Sequence, residues 1–455
     1  MKRLLAATLL IVLAFGGYLA AQKKADPMID INIVLNSEVT DSLLLQLESY
    51  GRVRDVIAEI NAITLQARES QLGIIRNLPW VKAANPDAVR NGSPVDTVAA
   101  ADFLDGMSTW DLDAVDVMDN SSDQREVSYD GAGVYVAVLD TGLVDTWRRY
   151  FPQERIAEEY AISFGGGGGD EATVSTQPNK WEHDTDSHGT HVTSTILGYS
   201  FYGNYVNGVA PLATVIPVKV LNQNGFGQSS VVARGITYVA GLKDGPLAAY
   251  PVVINMSLGG PALDAVEQAA IDYAISKGVI IVASAGNRGE AGMGYPGAYE
   301  PVISVAASGW VREWTSSVWW YGLDVADPTN PDDFYIVDYS GRQLAGQDLD
   351  VAAPGSWVVG PYQTNSGQTS YYYLGGTSMA SPHVAGIVAL MLHKNPALTA
   401  ADAEMILQGT AIPLADGCLP VTGPDGNVSN ICWGSDATGS GLVDAAAALD
   451  AIILP

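Results

Sequence analysis

Five short apolar runs, Val134–Leu139, Val215–Leu221, Val252–Met256, Val279–Ala283 and Val302–Ala307, constrain this chain more than any other feature. Each is nearly continuous rather than alternating, the mark of strands buried on both faces of a parallel sheet. Parallel strands need crossover connections. Segments with apolar residues at three- and four-residue spacing lie between the runs, at Ser229–Lys243 and at Leu263–Lys277, the second stopped by Gly278. The expected fold class is α/β, a doubly wound and mostly parallel sheet, with polar chemistry at the carboxyl ends of the strands.

The first hundred residues follow another rule. Ile29, Ile31 and Ile33 alternate with Asp30 and Asn32, the period of a half-buried strand. A helix is predicted over 42–50, strand-like sequence over 53–67, a second helix over about 68–77 and a strand over 80–84. This is the split βαβ order of a small ferredoxin-like α+β domain, spanning 28–90. Residues 91–108, small and polar with little periodicity, read as a linker, and 109–455 as the α/β domain. Within it, 309–350 is long for a connection and crowds Trp310, Trp314, Trp319 and Trp320 together, so a surface insertion with its own small cluster is expected. The five-glycine run Gly165–Gly169 reads as a flexible loop, since no Lys-Ser/Thr follows to make it a phosphate cradle.

Charge narrows the partners. Against 23 Lys+Arg stand 50 Asp+Glu, a formal net charge of −27, and because residues 1–100 carry ten of each sign the whole excess falls on 101–455. Nucleic acid is thereby excluded as a partner, since such binding rests on basic groups. Lys2-Arg3 followed by the apolar run Leu4–Ala21 reads as a secretory signal over 1–21 and so as a secreted product, with no stable membrane association expected after its cleavage. A retained anchor is the alternative, because about 18 apolar residues approach the length of a span. Export permits disulfides. Cys418 and Cys432 are the only cysteines, with thirteen residues between them, and a local disulfide is expected, two free thiols being the alternative.

Three motifs sit where such a sheet would hold a site. Val136–Leu139 delivers Asp140 at a strand end, followed by Thr141-Gly142. Asp186-Ser187-His188-Gly189-Thr190-His191 opens an apolar helical run. Gly375-Gly376-Thr377-Ser378-Met379-Ala380 leads small residues into another helix. Singly, each has an ordinary reading as a cap or a satisfied polar residue. Together they supply the parts of nucleophilic catalysis: a serine needs a base to take its proton, the base a fixed tautomer, and a carboxylate does the fixing.

Asp140-Thr141-Gly142, His188-Gly189-Thr190-His191 and Gly376-Thr377-Ser378-Met379-Ala380 resemble, in order, the three active-site motifs of the subtilases, the subtilisin-like serine proteases. The resemblance runs from about Trp110 to Asp444. It implies a subtilisin-like fold and peptide-bond hydrolysis, with Ser378 as nucleophile, His188 as general base and Asp140 as orienting carboxylate, and no cofactor for the chemistry. Asn287, in Ser284-Ala285-Gly286-Asn287, matches the oxyanion donor. Ser257, Leu258 and Gly259 match the edge strand that binds an extended polypeptide substrate. Gly294 matches the base of the main specificity pocket, where a glycine leaves room for a large apolar or aromatic side chain. The 28–90 domain resembles the family's inhibitory propeptides, which implies a self-processed zymogen, cut within roughly 88–108, with its own propeptide as inhibitor and folding assistant.

The chain also departs from the family pattern. Ser187 stands where a glycine is usual and Thr193-Ser194 where a small Ala-Gly pair is usual. The stretch 198–207 has little of the family's calcium-ligand pattern, which argues against calcium there; carboxylates elsewhere keep a structural calcium open without naming ligands. His383 is expected to be structural. An inactive subtilase-fold binding protein is the alternative function, but all four catalytic residues are present. An esterase would need a Gly-x-Ser-x-Gly elbow, and Ser378 lies in Gly-Thr-Ser-Met-Ala.

Overall fold

The five apolar runs become neighbouring strands of one eight-stranded sheet. In space the order is Ile162–Ser163, Thr214–Lys219, Tyr135–Asp140, Val252–Met256, Val279–Ser284, Ile303–Trp310 and Phe334–Ile336, with Val351–Pro354 also pairing Ile303–Trp310. All pairings are parallel except that of Phe334–Ile336. The structure is a computed structural model describing residues 26–92, 94, 96–99, 108–164, 180–201, 203–363 and 369–454. The predicted signal, 1–21, and the five-glycine run lie outside these residues. Among the described residues no helix is long and apolar enough to cross a membrane.

Continuous apolar sequence is explained by the two faces of Tyr135–Asp140. Val136 and Val138 pack with Val192, Ile196 and Val384, from the helices His188–Leu197 and Thr377–Lys394. Ala137 and Leu139, pointing the other way as alternation requires, pack with Ile236 and Ile271, from the helices Ser229–Lys243 and Ala265–Ser276. Later strands flank Tyr135–Asp140 on both sides, so the chain order reverses around it and Asp140 ends at the switch point of the sheet.

The segment 309–350 differs from its expectation. Trp310, Trp319 and Trp320 are at most 2% exposed and belong to the main core; Trp110 stacks on Trp310 with centroids 6.4 Å apart. The segment also contributes the antiparallel strand, so it completes the sheet rather than decorating it. Inside it Glu313 is fully buried, accepting hydrogen bonds from the Trp310 N–H (2.9 Å), the Tyr335 hydroxyl (2.9 Å) and the Ser356 hydroxyl (2.8 Å). Burial, only partly offset by these bonds, pushes its pKa up to about 8. A carboxyl raised on folding stabilises fully below its unfolded value of about 4.3, and that stability is lost as pH rises through the folded value. Glu313→Gln should therefore remove ~4 kcal/mol of the stability difference between pH 5 and pH 9. Thermal unfolding of the two proteins at both pH values checks this, and parallel pH profiles would refute it.

The N-terminal residues form a four-stranded antiparallel sheet in the order Gly51–Ile57, Ala62–Arg68, Met28–Leu35, Val81–Pro86, with helices Asp41–Leu47 and Leu72–Arg76. The strand-like block 53–67 is two strands, broken by a short 3-10 turn at Ala58–Ile60. Ile31, Ile33 and Leu35 pack under the helices. The opposite face is covered as well: Val34, Ile57 and Ala62 pack into the core beneath Ser229–Lys243 and Ala265–Ser276. Asn32 is fully buried there and donates to Asp87 (3.0 Å) and Asp264 (2.9 Å). Alternation had marked Met28–Leu35 as half-buried; the second domain covers the polar side. Farther along, Cys418 and Cys432 face each other across the hairpin Gly417–Thr422/Val428–Trp433 in a disulfide with sulfurs 2.08 Å apart.

Candidate active site

Asp140 ends its strand with no exposure, its Oδ1 accepting from the Thr141 N–H at 2.7 Å. The chain then turns at Gly142, whose φ of +94° and close approach to the Trp181 backbone admit only glycine. His188, equally buried, opens its helix and places Nδ1 2.8 and 3.0 Å from the two Asp140 oxygens. Asp184, also buried, fixes the approach to that helix: its carboxylate accepts from the Thr141 hydroxyl (2.6 Å) and from the Asp186 and Ser187 N–H groups (both 2.9 Å). Ser187, in place of the usual glycine, holds a φ of +72°. Its hydroxyl accepts from the Gln363 N–H at 2.6 Å, a bond glycine could not make.

Opposing effects act on the His188 imidazole. Burial works against the imidazolium, but the Asp140 carboxylate, helped by Asp186 and Asp184, outweighs it and raises the pKa above the ordinary histidine value. Asp186 itself is pushed up to about 7 by burial. By contrast His191, buried nearby, is pushed down to about 3 by burial and by His188, and donates from Nε2 to the Val358 carbonyl at 3.1 Å.

Ser378 is the second residue of Thr377–Lys394, at the positive end of that helix. Its hydroxyl donates to the Ser257 carbonyl at 3.1 Å, and the buried His188 Nε2 has no hydrogen-bond partner among the described residues. The carboxylate–imidazole half of the arrangement is formed and the imidazole–hydroxyl half is open.

Asn287 is held by its oxygen. Oδ1 accepts from the Thr377 N–H (2.8 Å) and hydroxyl (2.9 Å), so the side-chain NH2 is left to face the cavity beside Gly376. Asn287, Ser378, Gly259, Gly260 and Gly294 line a cavity of about 390 Å³. A Cβ on Gly294 would meet Gly260 N at 3.6 Å, ordinary contact, so larger side chains there would fill the space.

The chain itself runs through this cleft. Val89–Asn91 and Asp96–Ala99, in and beside the stretch expected to be a linker, are strands. Asn91 exchanges both backbone bonds with Gly259 (2.9 and 3.1 Å) while Val89–Asn91 pairs with Phe226–Gln228 on the other side. Gly92 donates to the Gly225 carbonyl at 2.9 Å, and a Cβ on it would lie 3.4 Å from His188 Cε1. Beyond the site, Asp96–Ala99 pairs with Thr369–Gly375. Of the three residues matched to the edge strand, Gly259 alone bonds the described residues of this segment. Leu258 is buried in the core, and Ser257 braces Ser378, its hydroxyl donating to the Ser378 carbonyl at 2.8 Å. Sequence reasoning missed the second rail, Gly225–Gln228, for which Gly225-Phe226-Gly227 was the available signal, and missed Asp184 and Thr377.

Other expectations fall outside the cleft. His383 is structural: Nδ1 faces the Met379 carbonyl (2.8 Å) and Nε2 faces Asp111 (3.0 Å). In the stretch expected to lack calcium ligands, Gly198–Phe201 and Asn204–Asn207 form a hairpin whose Tyr199 and Phe201 pack on Tyr371 at 5.7 and 4.2 Å. Asp348, Asp350 and Glu404 can bring one oxygen each within 4.8 Å of one another; no other described group does so.

The description "Subtilase family" matches residues 131–445, more than half of the chain. Subtilisin DY of Bacillus licheniformis is 35% identical over 294 residues, 63% of this chain and 87% of its own length. Subtilisin E of Bacillus subtilis (strain 168) is 34% identical over 292 residues, 63% of each protein. Among solved structures, fervidolysin of Fervidobacterium pennivorans, described as a keratinolytic enzyme related to subtilisin, matches 95% of this chain and 62% of its own with a TM-score of 0.64; at 22% identity this is likeness of fold alone. Sphericase, 28% identical, matches 75% of this chain and 99% of its own with a TM-score of 0.55.

Proposed function

Because the chain belongs to the subtilase family of serine endopeptidases, we propose that it hydrolyses polypeptides with Ser378, His188 and Asp140, and that it is made as an exported, self-inhibited precursor. The observation that carries this reading is the strand Val89–Asn91, seated between Gly259 and Phe226–Gln228 as an extended peptide would be, and leading to His188. In use, the Ser378 hydroxyl leaves the Ser257 carbonyl and turns to His188 Nε2, which takes its proton as oxygen attacks the substrate carbonyl. Asp140 holds Nδ1–H and stabilises the imidazolium. Charge forming on the carbonyl oxygen is met by the Asn287 NH2 and the Ser378 backbone N–H. His188 then protonates the leaving amine, and a water, activated by the same ring, releases the acyl group.

The N-terminal domain is the inhibitor in this reading. It docks on the starts of two helices: Asp87 accepts from the Ser230 N–H and hydroxyl, and Asn85 accepts from the Ala265 N–H. Its removal requires a cut within 88–108, and the apolar 1–21 directs export. An active-site serine probe followed by a casein digest tests the enzyme: labelling of Ser378 together with peptide products is expected. Absence of labelling would sink the hydrolase, and labelling without products would sink the protease.

A further inference from the structure

Two residues before Gly92, Arg90 is fully buried in the body of the α/β domain. Its guanidinium grips Glu267, which is also fully buried, through Nε (3.0 and 3.1 Å to the two oxygens) and Nη2 (2.5 Å). Nη2 also donates to the Ala262 carbonyl at 3.2 Å, and Nη1 to the Val89 carbonyl at 3.1 Å. Glu267 lies in the first turn of Ala265–Ser276, where the helix end favours negative charge. Gly260 keeps the slot open, because a Cβ there would stand 2.7 Å from Arg90 Nη1 and against the Val89 carbonyl.

The two partners have different fates. On the reading of the previous subsection, Arg90 departs with the inhibitory segment while Glu267 remains in the enzyme. A carboxylate left buried without its partner is strongly unfavourable, and the slot it occupies already has the shape of a planar, forked cation. We propose that Glu267 makes this slot a specificity subsite for arginine, four residues before the bond that is cut. The register follows from the backbone: Gly92 lies beside His188, so on the proposed reading the bond attacked is the one after residue 93, and Arg90 is the fourth residue before it. Bidentate geometry selects arginine over lysine.

This inference rests on the proposed protease activity, so its test must separate the two. The processed enzyme, obtained from the full chain, is given acetyl-Arg-Asn-Gly-Phe-p-nitroanilide and the same charge moved one place, acetyl-Asn-Arg-Gly-Phe-p-nitroanilide. Equal charge cancels the general attraction of an acidic protein for a cation. The first peptide should be cleaved with a kcat/KM about tenfold or more higher, because the second leaves Glu267 unpaired. A citrulline in place of the arginine should lose the same factor. Glu267→Leu should bring the first two peptides together; if that variant does not fold, the wild-type comparison stands alone. Equal cleavage of the two peptides by the wild type overturns the subsite and leaves the protease intact, whereas no cleavage of either, with no labelling of Ser378, overturns both.

Discussion

Ser378→Ala is expected to accumulate as an uncut chain and to lower peptide hydrolysis by ~10⁶, the scale reached when a nucleophile that works as a unit with its base is removed. The structure explains why so much depends on one oxygen. His188 and Asp140 are already paired and buried, and in the proposed mechanism the Ser378 hydroxyl alone supplies the attacking oxygen. Mass spectrometry of the purified variant checks processing, and hydrolysis of a chromogenic peptide checks turnover. Normal cleavage of the isolated variant would place the cutting activity in another protein.

Asn287→Leu should cost about 2.7–4 kcal/mol of transition-state stabilisation, a loss of ~10²–10³ in kcat with KM little changed, as expected for a donor that acts only when negative charge develops. Thr377→Val provides a graded control. It removes the hydroxyl that donates to Asn287 Oδ1 but keeps the backbone N–H on the same atom, so a loss of roughly fivefold in kcat is expected. Equal losses for the two variants, or losses confined to KM, would contradict an oxyanion role for Asn287. Steady-state kinetics on one peptide substrate measures all three proteins.

Much of the architecture was legible because strands buried on both faces leave continuous apolar runs, and because Asp140 sits where such a strand ends while His188 and Ser378 sit where buried helices begin. What sequence could not reveal depends on contacts between distant segments. Three residues such as Val89–Asn91 carry no period; they become a strand only when Gly259 and Phe226–Gln228 flank them. Asn32 reads as solvent-facing until a second domain covers it. Trp310, Trp319 and Trp320 look like a local cluster until Trp110 is brought against them from two hundred residues upstream. Ser187 departs from the usual glycine, and only the fold shows that Gln363 supplies a bond to the serine that stands there.

The segment threaded between Gly259 and Phe226–Gln228 is covalently part of the protein it occupies, and this sets the molecularity of each step. Occupancy of the cleft by the uncut chain is intramolecular, so the proposed self-cleavage should proceed with a first-order rate that dilution does not change. After the proposed cut the N-terminal part would be held by non-covalent contacts alone, and its inhibition would become a bimolecular equilibrium. Dilution then favours the free enzyme. A precursor concentrated during export would stay silent after it has been cut, and would become active as it spreads into a larger volume.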